Sequence, residues 1–348
     1  PRPVEPLYTV EDAEACMSMF VPVEYEQSLK VADDVEASFY EAGHIFGSSI
    51  IKVKVKLKGE SRTILFSGDL GRIGKPILKD PSVFEEADYV LVESTYGDRI
   101  HTSVENTKEQ LCEAVNKTHA AGGNIIVPSF SIERAQEVMY YMNELLMEDR
   151  IPHIMTFLDS PMAVRVTEVF KKHPELYDAE LSKLMTQNES PFTYKGLKLV
   201  QSTRESKAIN HIKGTIMVIA GSGMCTGGRV KHHLVNNISR PESSVLFVGY
   251  QAVGTLGRTI VDSQPGDEVR ILGNHFPVRA NIVKVHGFSA HADKVEMLSW
   301  LRNLKKAPRK VFVVHGEKEA AHSFKDYLIE ETGWDIMVPK YQDVVKVD

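Results

Sequence analysis

The sequence predicts an α/β protein in two parts, a β-rich core interrupted by an inserted α/β unit. Three observations carry this reading. Between Val35 and Glu93 the apolar residues fall in short runs, and one of them, Ile50 to Leu57 (IIKVKVKL), alternates with lysine at the period of a strand with one face in water. From about Val104 helical spacing alternates with short buried runs, the order of a parallel sheet with crossover helices. Near Asp267 the short-strand texture returns, so two similar flanks enclose a distinct middle.

Taken in order, Val10 to Met19 is spaced as a helix, and Thr63 to Phe66 and Tyr89 to Val92 are further strands of a largely antiparallel region. Glu105 to Ala120 is helical until Gly122-Gly123 breaks it, and Asn124 to Val127 is a buried strand. Ser131 to Leu146 places Ala135, Val138, Met139, Met142, Leu145 and Leu146 on one helix face. His153 to Leu158, Lys198 to Gln201, Thr215 to Ala220 and Ser244 to Gly249 complete the parallel sheet. Then come strands Glu268 to Leu272 and Ile282 to Val285, helix Lys294 to Asn303, strand Lys310 to Val314 and helix Glu319 to Glu331. The expected division is a core over residues 1–104, an insertion over 105–280 and a return of the core over 281–348. No internal repeat or low-complexity tract is visible.

Composition narrows the function. The 348 residues suffice for about two domains with real cores. Hydrophobic residues at 43% and charged residues at 25% remove the disordered and coiled-coil classes. A net charge of -6 offers no global attraction to a polyanion, so a nucleic acid must be held by a local groove. Cys16, Cys112 and Cys225 are odd in number and widely spaced, which suits a reducing cytoplasm rather than a disulfide framework. No apolar run approaches the roughly 20 residues of a membrane helix.

Four polar residues stand at the ends of apolar runs: His44 in EAGHIFGSS, Asp69 in FSGDLG, Glu93 in VLVESTYGD and His315 in VFVVHGE. Imidazole nitrogen and carboxylate oxygen suit zinc, and a carboxylate can bridge two metals in a hydrolytic site. Singly, each also fits a hydrogen-bonded turn, and Asp69 an Asx-turn. In GFSAHAD, His291 precedes a helix whose free amides favour an anion, so it could protonate a leaving oxygen; packing against the loop is the alternative. The glycine-rich SGMCTGGR can cradle phosphate on its amides or serve as a tight strand-to-helix turn. Ser129, Ser222 and Ser289 are candidates for contact with a phosphate backbone, with Arg229 and Arg258 beside them, while Arg134 equally suits a salt bridge. His232, His233, His275 and His286 fit ordinary surface or helix positions, and Cys225 fits packing.

The ordered set GHIFGSS, SGDLG, ESTYGDR, PSFSIERAQE, SGMCTGGR, GYQAVGTLGR, GFSAHAD and VVHGE resembles the β-CASP branch of the metallo-β-lactamase superfamily. It is similar to the bacterial and archaeal RNA nucleases related to the catalytic subunit of the pre-mRNA cleavage machinery, over about Pro6 to beyond His315. The resemblance implies a partial metallo-β-lactamase αββα core with an inserted α/β β-CASP domain. It implies that His44 ligates one zinc, Asp69 bridges two and His315 ligates the other, and that Glu93 orients His291, the general acid. The implied activity is zinc-dependent hydrolysis of phosphodiester bonds in single-stranded RNA, by endonuclease or 5′ exonuclease action. Ser129, Ser222, Arg229, Arg258 and Ser289 become the expected RNA contacts.

One departure is expected to matter. The family carries an HxHxDH motif before the His44 segment that completes two zinc sites, and none of the 43 residues before His44 is histidine. The chain is therefore expected to begin within a longer parent, as its start without Met suggests, and to bind zinc partially or not at all. The rival reading is a catalytically dead RNA-binding or scaffold subunit; a third, a small-molecule hydrolase, is disfavoured by the β-CASP strings. Single-stranded RNA is the expected partner, a membrane is not, and a homodimer is a further candidate.

Overall fold

The computed structural model describes the chain apart from residues 1–5, 58, 102–103, 188, 286 and 348, so His286 lies outside the described residues. A capped N-terminal helix, Val10–Cys16, runs into a 3-10 turn, Met17–Met19, and neither buries a residue. Five strands follow: β1 (Ser28–Ala32), β2 (Val35–Glu41), β3 (Ser49–Leu57), β4 (Glu60–Phe66) and β5 (Tyr89–Val92). β1 to β4 form an antiparallel meander, and β5 joins β4 in parallel.

The middle of the chain builds a second sheet from β6 (Ile125–Pro128), β7 (Met155–Leu158), β8 (Leu197–Leu199), β9 (Ile216–Ala220) and β10 (Ser244–Phe247). After a hairpin of β11 (Glu268–Ile271) and β12 (Asn274–Pro277), β13 (Asn281–Lys284) completes it. Its order is β13-β10-β6-β9-β7-β8, and every pairing is parallel. A sheet covered by helices on both faces must be apolar on both. Accordingly Ile125 and Val127 enter one core with Val138 and Met142 of helix Arg134–Met147, while Ile126 enters another with Val230 and Leu234 of helix Val230–Asn237. This is why Asn124 to Val127 reads as a continuous apolar run.

The chain returns to the first sheet with helix Lys294–Leu301, β14 (Lys310–Val313), helix Lys318–Thr332 and β15 (Ile336–Met337). The seven strands lie in the order β1-β2-β3-β4-β5-β14-β15. The two helices bury Met297, Leu301, Phe324 and Leu328 against Ile50, Leu65, Val90 and Val92 on one face. On the other face the β2–β3–β4 register aligns Ala37 and Ile64 with Val53, and Phe39 and Phe66 with Ile51. Helices thus cover one face of this mixed sheet, as half of an αββα core requires.

Three details depart from the sequence expectation. β1 was not anticipated, because all five of its residues are exposed and burial leaves no pattern in them. The first sheet is antiparallel only as far as β4. And β13 pairs with β10, so the six-stranded sheet takes in residues that the expected division assigned to the returning core. No described helix is long and apolar enough to cross a membrane.

Candidate functional site

β2 runs antiparallel to β3 and β3 to β4, whereas β4, β5 and β14 are mutually parallel, so the carboxyl ends of β2, β4, β5 and β14 share one edge. Open sheets form their clefts at such an edge. The residues just past those ends are His44, Asp69, Glu93 and His315. Asp69 stands between two histidines, with Oδ2 3.7 Å from His44 Nε2 and Oδ1 3.3 Å from His315 Nε2. His291 closes the group: its ring lies 4.3 Å from that of His44, and His44, Asp69 and His291 each offer a ligand atom within 4.8 Å of the others.

This donor set suits a divalent cation such as zinc. Burial and then the neighbouring His291 push His44 down to about 4, so its ring is neutral at physiological pH with a lone pair to give. Its Nδ1 is buried and has no hydrogen-bond partner among the described residues, whereas Nε2 faces Asp69. An imidazole arranged this way fits a metal on Nε2.

Glu93 is 1% exposed, and its two oxygens lie 3.0 and 2.9 Å from His291 Nδ1. Burial acts to lower the His291 pKa, but the hydrogen bond and charge of Glu93 outweigh it and the pKa is raised. Glu93 Oε1 also accepts the Leu70 amide at 2.5 Å, tying the acid to the loop that carries Asp69. That loop packs closely on the His44 loop: a Cβ on Gly71 would lie 1.8 Å from the Gly43 carbonyl oxygen, so only glycine fits. Past His291, Asp293 caps helix Lys294–Leu301 and receives the His101 amide at 2.8 Å. His101 Nε2 lies 3.2 Å from the His291 carbonyl oxygen, which fixes the backbone of His291 from behind.

The residues expected to contact phosphate are distributed unevenly. Ser289 and Arg258 line a cleft of about 430 Å³ between the two sheets' loops, together with Tyr96, Arg99, Tyr250 and Lys284. The Tyr96 ring lies 6.0 Å from that of His291 and 6.2 Å from that of Tyr250, so the cleft adjoins the histidine cluster. Ser222 is half-buried, its Oγ accepting the Gly227 amide at 3.3 Å. Ser129 is buried and donates to the Phe130 carbonyl at 3.0 Å. Arg229 is turned inward: Nη1 meets the buried Asp159 at 2.7 Å and Nη2 the Gln201 carbonyl at 2.7 Å. His233 Nε2 meets the same carboxylate at 2.6 Å, so these two members of the sequence list serve one buried ion cluster.

Sequence reasoning passed over Tyr96, Arg99, His101, Tyr250 and Glu133. Four of them lie within the recognised strings; Arg99 bonds its neighbour Asp98, whereas Tyr96, Tyr250 and Glu133 meet residues remote in the chain. Between the units, Lys75 bonds Glu137 and donates to the Gly287 carbonyl at 2.9 Å, while Arg134 bonds the other oxygen of Glu137, so Arg134 makes the salt bridge considered for it.

Histidines and a shared carboxylate at the carboxyl edge of a mixed sheet, beside a buried acid–histidine pair, define a metal-dependent hydrolase. Residues 135–260 match the family model of the Beta-Casp domain, and residues 276–339 that of the Zn-dependent metallo-hydrolase RNA specificity domain. The chain belongs to the β-CASP family of metallo-β-lactamase RNA nucleases. It is 40% identical to Ribonuclease TTHA0252 of Thermus thermophilus over 90% of its own length and 70% of that protein. It is 28% identical to an RNase J-like protein of Methanocaldococcus jannaschii, covering 72% of it. It is also 28% identical to the transcription termination factor FttA of the same organism, of which it spans only about half, 54%.

Proposed function

We propose that the protein hydrolyses phosphodiester bonds of single-stranded RNA with zinc that His44, Asp69 and His315 would hold. The observation that carries this is the pairing of His291 Nδ1 with both oxygens of a buried glutamate, beside a carboxylate flanked by two further histidines. Bound zinc would supply an activated water and charge stabilisation at phosphorus. Glu93 holds a proton on His291 Nδ1 and stabilises the imidazolium, which leaves Nε2 to deliver its proton to the departing ribose oxygen. The cleft lined by Arg99, Arg258 and Ser289 would hold the strand by its backbone, with the half-buried Ser222 extending that surface from the six-stranded unit, while the buried Ser129, whose hydroxyl bonds the Phe130 carbonyl, supports its loop from within instead of touching RNA. Arg229 acts there by fixing the glycine-rich loop through Asp159. Internal cleavage and 5′ trimming use the same chemistry.

This assigns a nuclease core to both ends of the chain and an inserted RNA-holding domain to its middle, ending after β13. A cytoplasmic location accords with three free cysteines. The relatives named as ribonucleases support the substrate class. The test is cleavage of labelled single-stranded RNA by the protein supplied with zinc, by the chelated protein and by Asp69→Ala. Loss in both controls is expected. Cleavage that survives both would refute metal-assisted hydrolysis, and binding without cleavage under every condition would favour the scaffold reading.

A further inference from the structure

We propose that Glu133, carried by the six-stranded unit, is a positioning residue that accepts the Nδ1 hydrogen of His44 and so presents Nε2 of that ring to the metal. The inference rests on the reading of His44 as a ligand.

Two buried polar atoms at this place lack a hydrogen-bond partner among the described residues, His44 Nδ1 and Glu133 Oε2. Both residues line one cavity of about 10 Å³, with Gly43, Arg134, Glu137 and Ala290 around it. The two side chains are not in direct hydrogen-bond contact, but that volume admits about one water, which would bridge them. The Phe46 amide, two residues past His44, hydrogen-bonds the Glu133 carboxyl, which brings this side chain onto the His44 loop itself. Glu133 is 4% exposed and has φ +65°, a left-handed conformation uncommon for a residue with a side chain. Such a conformation persists where the surrounding structure dictates it, commonly at functional sites.

The chemistry of a ligating histidine explains the arrangement. An imidazole that gives one nitrogen to a metal carries its hydrogen on the other, and a carboxylate or carbonyl accepting that hydrogen fixes both the tautomer and the ring plane. His44 Nε2 already faces Asp69, so Nδ1 is the nitrogen that needs an acceptor. Of the charged groups lining the cavity, Lys75 and Arg134 are donors, and Glu137 is taken up by both. Glu133 is the remaining acceptor: burial and the neighbouring Glu137 push its carboxyl up to about 8, and its unpartnered oxygen can accept as carboxylate or as the carbonyl of the neutral acid. Because it lies on the entry to helix Arg134–Met147, docking of the six-stranded unit completes the support of a ligand that belongs to the other sheet.

The experiment measures zinc affinity by chelator competition, and the His44 tautomer by nitrogen-15 NMR of histidine-labelled protein, for wild type, Glu133→Met, Glu133→Gln and His44→Ala. Methionine keeps the volume without an acceptor oxygen, whereas glutamine keeps an oxygen for Nδ1–H. Expected are a 10- to 100-fold loss of zinc affinity and a loss of the Nδ1–H tautomer in Glu133→Met, with both restored in Glu133→Gln. Unfolding of the metal-free proteins by urea checks that each variant is folded; should Glu133→Met not fold, the tautomer in Glu133→Gln decides, and absence of Nδ1–H there overturns the proposal. If His44→Ala loses zinc while Glu133→Met binds it as wild type does, the positioning role is overturned and the ligand reading stands. If His44→Ala binds zinc normally, the ligand reading fails and this inference with it.

Discussion

Replacing Arg229 by alanine should act first on folding. The Asp159 carboxylate is wholly buried and receives three donors: Arg229 Nη1 at 2.7 Å, His233 Nε2 at 2.6 Å and Ser206 Oγ at 2.5 Å. Removing one partner of a buried ion pair costs about 3–5 kcal/mol, because the remaining charge is left in a poor solvent. Two donors stay with Asp159, so the lower end applies, ~3 kcal/mol, or about two powers of ten in the folding constant. The variant also loses the bond to the Gln201 carbonyl that ties β8 to helix Thr203–Ile209. Urea unfolding followed by far-ultraviolet circular dichroism measures the loss. Adding Asp159→Asn removes the stranded charge and should recover part of it, a coupling of ~0.5–3 kcal/mol. The pH dependence has a definite sign. Burial acts to raise the Asp159 pKa, but the hydrogen bonds from His233, Ser206 and Arg229 outweigh it and hold the carboxyl below its usual range. A depressed carboxylate stabilises the fold above its unfolded pKa and loses that contribution as pH falls through the folded value. Wild type and Arg229→Ala should therefore converge in stability below about pH 4. Unchanged urea unfolding in Arg229→Ala, together with weaker RNA binding, would refute this reasoning and return the guanidinium to the phosphate.

Two further outcomes follow from the same structure. RNA binding should be nearly independent of base sequence and should weaken with salt, and Arg258→Ala should reduce the salt slope by about 1 while affecting different single strands alike; a loss confined to one sequence would contradict backbone recognition. A thiol reagent should modify the exposed Cys16 readily in the native protein but reach the buried Cys112 and Cys225 only on unfolding, since burial also pushes the Cys225 thiol up to about 12. Rapid native modification of Cys225 would contradict its role in packing.

Much of the site was legible because it lies where strand periodicity stops. His44, Asp69, Glu93 and His315 each follow an apolar run, and the parallel course of β2, β4, β5 and β14 turns four sequence positions into one edge. Residues whose role depends on a remote partner were not legible. Arg229 reads as an open phosphate ligand until Asp159, seventy residues earlier, is seen beneath it. Glu133 reads as an ordinary helix-entry residue because its contact, Phe46, lies in the other sheet's loop. β1 escaped notice for the opposite reason: with every residue exposed, SLKVA has hydrogen bonds to β2 but no buried face to write a pattern. Residues 281–284 read with the returning core because the parallel pairing of β13 with β10 carries no local signal.

The central claim is that His291, held by Glu93, is the acid of a metal-assisted phosphodiester cleavage and not itself needed to hold the metal. The direct measurement is His291→Ala in this protein joined to the family's HxHxDH segment, with zinc content and cleavage of single-stranded RNA determined on the same preparation. The account predicts a fall in cleavage of about 10²- to 10⁴-fold with zinc content unchanged. Loss of zinc together with activity would make His291 a ligand, in keeping with its place within 4.8 Å of His44 and Asp69, and cleavage at the wild-type rate would remove the acid altogether.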